Sequence, residues 1–156
     1  MAGSESKDAF VEELDALVAE KRKKGFCCAQ VVLSIGMERL GIRDDTLLRA
    51  SAGLCGGSGG GVCGALAGAD MLFAMCVCPD RPARAARDAQ KASIGALNET
   101  FAAYMGGTTC EAISKNDPER KKSFCPSVMA GAVEILRSVL RERGIDPDKH
   151  IKFGKL

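Results

Sequence analysis

Cys28, Cys63, Cys110 and Cys125 each follow a flexible or turn-forming stretch, and each falls where the pattern predicts a helix start. Helix N-termini expose unpaired N–H groups and a partial positive charge, which favours thiolate over thiol. Four such ends meeting in a bundle would suit a Cys₄ iron–sulfur cluster or a zinc site, and equally a set of redox thiols. The spacing is long and irregular, without the CxxC pairs of zinc ribbons or bacterial ferredoxins, so all three chemistries stay open. The plain alternative is that these cysteines are small buried hydrophobes. His150, the single histidine, lies in a polar tail and reads as solvated. That removes the usual base of a Cys–His hydrolase and the mixed Cys/His zinc site.

The other four cysteines fit a ligand role less well. Cys27 adjoins Cys28, and neighbours on a helix point about 100° apart. Cys76 and Cys78 fall near a helix C-terminus, where the dipole disfavours thiolate, and read as core packing. Cys55 sits inside a glycine-rich loop within reach of Cys63 and is the reserve candidate, as a fifth sulfur or redox partner.

That loop runs through Gly53–Gly68 as GLCGGSGGGVCGALAG. Its glycines are free to adopt positive φ and to let backbone approach a sulfur closely. No Lys, Arg or His lies between Arg49 and Arg81, so the N–H groups of Gly56, Gly57, Gly59, Gly60 and Gly61 are the expected compensation for a buried anionic cofactor. Gly59-x-Gly61-x-x-Gly64 formally matches a dinucleotide fingerprint. No strand precedes it and no βαβ unit surrounds it, so the match fails its structural context. No GKS or GKT is present, which excludes a P-loop.

The elements that must position these residues all carry helical periodicity. Phe10, Val11, Leu14, Leu17 and Val18 mark a helix over 8–24, closed by Gly25. Cys27-Cys28-Ala29 opens a second, through Leu40 with Gly41 after it, and Asp44 or Asp45 caps a short third. Cys63 to Cys78 is apolar nearly all round, stops at Pro79, and is placed at the centre of the fold. Gly64 and Gly68, one turn apart, would let a neighbouring helix approach. Pro82 begins a long helix to about Met105, with Ile94, Leu97 and Phe101 on its core stripe. Thr108-Thr109-Cys110-Glu111 has capping-box spacing. A charged loop, 115–122, leads to Cys125 as N-cap and Pro126 as first residue of a last helix, cored by Met129, Val133, Leu136 and Leu140. The expectation is an all-α, single-domain bundle of about five to six helices over 8–144, with a disordered start (1–7) and a loose tail (145–156).

Composition supports that class. The chain has 156 residues, 46% hydrophobic and 27% charged, ordinary for a globular domain. A formal charge of +2 argues against a dedicated nucleic-acid surface. The longest apolar run, Val62–Val77, is short of a membrane span and carries Asp70. No secretory pattern is visible at the N-terminus, so a cytoplasmic, reducing setting is expected. There the eight cysteines read as metal ligands or redox thiols before structural disulfides.

Cys28-Ala29, the glycine loop running into Cys63-Gly64-Ala65-Leu66-Ala67-Gly68, and the lone Cys110 and Cys125 resemble the redox-active family defined by C…CGAxxG…C…C. The resemblance covers about residues 26–140. It implies a small redox protein whose four motif cysteines, here Cys28, Cys63, Cys110 and Cys125, are iron–sulfur ligands. The additional Cys27, Cys55, Cys76 and Cys78 leave open whether Cys27 or Cys28 is the first ligand. The leading expectation is thus an electron-transfer or redox-sensing protein with an iron–sulfur cluster. Thiol–disulfide exchange by a cysteine pair and a zinc-stabilised docking module are the alternatives. Lys23-Lys24-Gly25-Phe26-Cys27 and Lys121-Lys122-Ser123-Phe124-Cys125 are locally alike, and such lysine pairs would steer an acidic redox partner.

Overall fold

Two runs of apolar residues with scarcely a polar face must be buried against each other. In the computed structural model, which describes residues 2–78 and 84–153, they are α2 (Cys28–Arg39) and α4 (Gly64–Val77). Around them stand α1 (Ala2–Lys23), α3 (Asp45–Ala50), α5 (Arg87–Met105), α6 (Cys110–Ser114) and α7 (Pro118–Glu142). The expected all-α domain is present, with short 3₁₀ segments at Ser51–Gly57 and Arg84–Ala86. Pro79 and Pro82 lie outside the described residues.

The centre differs from expectation. It is shared by α2 and α4, and α2 is the more deeply buried, from Ala29 and then Val31 through Met37. The reason lies in the polar residues: those of α2 crowd its ends, whereas α4 carries Asp70 in mid-helix and leaves one side half-exposed. The two helices run parallel. Cys28 faces Gly64, Ala29 and Val32 face Gly68, and Gly36 faces Leu72. A Cβ on Gly68 would lie 2.8 Å from the Ala29 carbonyl oxygen and 3.2 Å from Val32 Cβ. The absent side chain is what sets the approach, as the Gly64/Gly68 spacing predicts.

The outer helices bury most of their expected stripes: Leu14 and Val18 of α1, Leu97 and Phe101 of α5, and Met129, Val133, Leu136 and Leu140 of α7, while Val11 of α1 is exposed. Asp44 caps α3 by accepting from Leu47 N–H at 2.8 Å. Thr109, one residue later than the expected box, caps α6 by accepting from Ala112 N–H at 3.0 Å. Among the described residues α7 is the one helix of length and apolarity to cross a membrane, and 56% of that stretch is buried inside the fold. Its apolarity is that of a core helix.

Three boundaries are corrected. α1 is helical from Ala2, so most of the segment 1–7 expected to be disordered belongs to it; Ala2, Glu5 and Lys7 are good helix formers. α7 starts at Pro118, capped by Asp117, which accepts from Glu119 N–H at 3.0 Å. The charged loop is therefore mostly helix, and Pro126 with Cys125 lies inside it. The tail is not loose as far as it is described. Pro147 is buried, Ile151 N–H donates to the Leu40 carbonyl at 2.9 Å, and Asp148 receives both Arg137 nitrogens at 2.6 and 2.7 Å. Arg137 and Arg39 also stand over the Phe10 ring at 4.7 and 5.1 Å.

Gly68→Ala should lower the unfolding free energy in urea by about 1–3 kcal/mol, because backbone rather than a flexible side chain meets the new methyl. Gly95→Ala, in α5 with open space around it, should be neutral or stabilise by up to about 1 kcal/mol.

Asp70 offers a second test. Burial pushes its carboxyl up to about 6, against the Asn98 amide donating to it at 2.8 Å. A folded pKa above the unfolded one gives stability that is full below about pH 4 and lost as pH rises through 6. Urea midpoints should fall between pH 4 and 7 in the natural protein, and that fall should flatten in Asp70→Asn.

Candidate thiol site

The starts of α4 and α6 are tied by one antiparallel bridge, Val62 with Thr109. Cys63 N–H donates to the Thr108 carbonyl and Cys110 N–H to the Gly61 carbonyl, both at 2.8 Å. Cys63 and Cys110 each follow a bridged residue, so both side chains leave the same face of the bridge. Cys28, first residue of α2, reaches the same end because α2 and α4 are parallel. Its Sγ fills the space beside Gly64 and accepts from Gly56 N–H at 3.5 Å. Cys125 arrives from α7, close enough that Cys110 and Cys28 act on its titration. The structure thus gathers Cys28, Cys63, Cys110 and Cys125 at one end of the bundle.

Three of the four stand at helix starts: Cys28 and Cys110 open α2 and α6, and Cys63 is the N-cap of α4. Cys125 does not. Asp117-Pro118 supplies a side-chain acceptor that Cys125-Pro126 lacks, and the helix begins at the stronger signal. The expected thiolate bias is overturned for two of them. Burial pushes Cys63 up despite amide hydrogen bonds from Leu66 and Ala65, with Cys28 and Cys110 adding to the rise. Burial also raises Cys125, with Cys110 and Cys28 acting the same way and Lys121 and Arg22 opposing. At Cys63 the amides of the helix start do not outweigh desolvation.

The glycine loop takes left-handed backbone at Gly56, Gly57, Gly60 and Gly61, with φ of 61°, 82°, 72° and 88°. Gly56 gives its amide to a sulfur, and Gly57 packs against Cys110, a Cβ there lying 3.0 Å from Cys110 Cβ. Gly61 N–H instead closes the loop onto the Gly57 carbonyl at 2.8 Å, and Gly59 sits against Leu54. Gly60 faces open space.

The largest departure is a disulfide between Cys27 and Cys55, their Cα atoms 6.0 Å apart. It bolts the N-cap of α2 to the 3₁₀ segment directly beside the free thiol of Cys28. No local spacing announces a pair separated by 28 residues; the one sequence hint is the placement of Cys55 in the mobile-natured glycine loop. Cys28, Cys63, Cys76, Cys78, Cys110 and Cys125 are free. Cys76 and Cys78 stand near the opposite end of α4. Cys76, pushed up to about 11 by burial, lines a cavity of about 20 Å³ with Gly36, Leu72 and Val133. Among the described residues, no three Cys, His, Asp or Glu side chains are spaced to hold one metal ion together.

Among protein families, the model described as "Putative redox-active protein (C_GCAxxG_C_C)" matches residues 26–139. No curated protein and no solved structure matches the chain.

Non-reducing peptide mapping should recover Cys27 linked to Cys55. Cys27→Ser with Cys55→Ser should lower stability by about 3–4 kcal/mol, the chain entropy released by a loop of that length.

Proposed function

The chain belongs to the C_GCAxxG_C_C family, and from that footing we infer that it is a thiol–disulfide redox protein whose working couple is Cys27–Cys55. The observation that carries this reading is the disulfide whose residues bracket the free thiol of Cys28, Cys27 adjoining it in sequence and Gly56, next to Cys55, donating to its Sγ at 3.5 Å. In exchange, an attacking thiolate forms a bond to one sulfur of the pair; the old S–S bond breaks, and the departing sulfur takes up a proton. A dithiol donor that completes two such steps leaves as a disulfide, and Cys27 and Cys55 remain as thiols. Gly56 links the couple to the thiols, since its amide holds Cys28 Sγ one residue from Cys55. A reducing, cytoplasmic setting suits such a cycle, because a donor must reopen the pair.

A second reading keeps the iron–sulfur cluster, or zinc, on Cys28, Cys63, Cys110 and Cys125. Its support is the convergence of those four residues and the Gly56 amide beside a sulfur. The side chains as they stand do not fit a shared ion, no three being suitably spaced among the described residues.

One anaerobic purification separates the two. The exchange reading expects colourless, metal-free protein whose titratable thiols, counted after unfolding, rise from six to eight on reduction and fall back in a disulfide buffer. Brown protein with stoichiometric iron and sulfide, or stoichiometric zinc, would replace it with the metal reading. A Cys27–Cys55 bond that no thiol buffer reopens would reduce it to a structural staple.

A further inference from the structure

The free thiols are not equivalent in their surroundings. Cys63 is buried, while Cys28, Cys110 and Cys125 are half-exposed. Lys121 and Lys122 precede Cys125 by four and three residues on α7, so both share its side of the helix. α1 packs on α7, and its last turn brings Arg22 to the same thiol. Arg22, Lys121 and Lys122 are all exposed.

Neighbouring cations are already committed. Lys21 is buried and paired with Glu38, and Lys24 is paired with Glu20. Arg120 is folded onto the Phe124 ring at 4.5 Å and donates to the Ile113 carbonyl at 2.8 Å. By contrast Arg22, Lys121 and Lys122 have no ion-pair partner among the described residues, although Glu111 and Glu119 are exposed on nearby segments. With a net charge of only +2, this clustering is local.

We propose that Cys125 is the thiol that meets the redox partner, and that this partner presents its cysteine on an acidic peptide segment. The proposal rests on the thiol–disulfide reading. The cations stand on two exposed helix segments instead of enclosing a cavity, an arrangement that suits an extended chain crossing both. With Cys27 and Cys55 reduced, Cys125 thiolate attacks the partner's disulfide; the mixed disulfide forms, the partner's S–S bond breaks, and its leaving sulfur takes a proton. A neighbouring thiol, Cys28 or Cys110, then attacks Cys125 Sγ and frees the partner's second sulfur as a thiol, and Cys27 and Cys55 reduce the resulting internal disulfide by closing as a disulfide themselves. Carboxylates flanking the partner's cysteine meet Arg22, Lys121 and Lys122, which speeds encounter and orients the attack.

The test uses the full chain and three single-cysteine peptides activated as thionitrobenzoate disulfides, one Glu-rich, one Gly/Ser-rich and one Lys-rich. Release of the leaving group gives the rate, and peptide mapping gives the cysteine modified. The Glu-rich peptide should modify Cys125 about tenfold faster than the Gly/Ser-rich one at low salt, the gap closing at high salt. Lys121→Gln with Lys122→Gln, and separately Arg22→Gln, should shrink the Glu-rich to Gly/Ser-rich rate ratio with circular dichroism unchanged, the Gly/Ser-rich rate itself falling less because it loses only the cations' hold on the thiol. Equal rates at Cys125 for all three peptides would overturn the acidic partner and leave the exchange reading standing. Failure of every peptide and of neutral iodoacetamide to modify Cys125 would overturn its role as the entry thiol. An equal, salt-sensitive advantage for small anionic dithiobis(nitrobenzoate) over cationic cystamine would replace the peptide with a small anionic disulfide.

Discussion

Everything at the thiol end depends on the contact between α2 and α4. Because Gly68 gives way to the Ala29 carbonyl and Gly64 to Cys28 Sγ, the two helices lie close and in parallel. Parallel helices place like dipole ends side by side, an arrangement that is unfavourable unless charge is supplied at each end. The N-terminal ends meet polarisable sulfur, from Cys28 and Cys63. At the C-terminal end of α2, Arg39 stands in the last turn.

Much of this was legible in the residues. Helical periodicity located the core stripes, since positions such as Met129, Val133, Leu136 and Leu140 have no other face to turn inward. The glycine spacing at 64 and 68 announced a close helix neighbour. Cys28, Cys63 and Cys110 stand at the helix starts that their sequence setting implies. The exception is instructive: Asp117-Pro118 and Cys125-Pro126 both resemble a cap followed by a first-turn proline, and only a carboxylate can accept the early amides well. Two things were beyond local pattern. A disulfide such as Cys27–Cys55 joins residues whose distance is decided by the whole fold, and the docking of Asp148 depends on Arg137 arriving from α7.

The thiols also show which of two opposing effects governs a sulfur at a helix start. Ala65 and Leu66 amides point at Cys63, yet enclosure by the core raises it. Only the thiolate attacks a disulfide, so a thiol raised in this way reacts more slowly at neutral pH. Reactivity at such a position is then conferred by exposure and by neighbouring cations, and these differ from one cysteine to the next around the same cluster.

The docked tail has a practical consequence for studying electron flow. Ile151 is held to Leu40 at the far end of α2 from Cys28, and a twelve-residue helix spans about 18 Å. Lys149 and His150, both exposed, belong to that far end. A molecule tethered to an electrode or sensor surface through this segment would stand with its sulfur-bearing end turned towards the solution, so its orientation on a support is already prescribed by the chain.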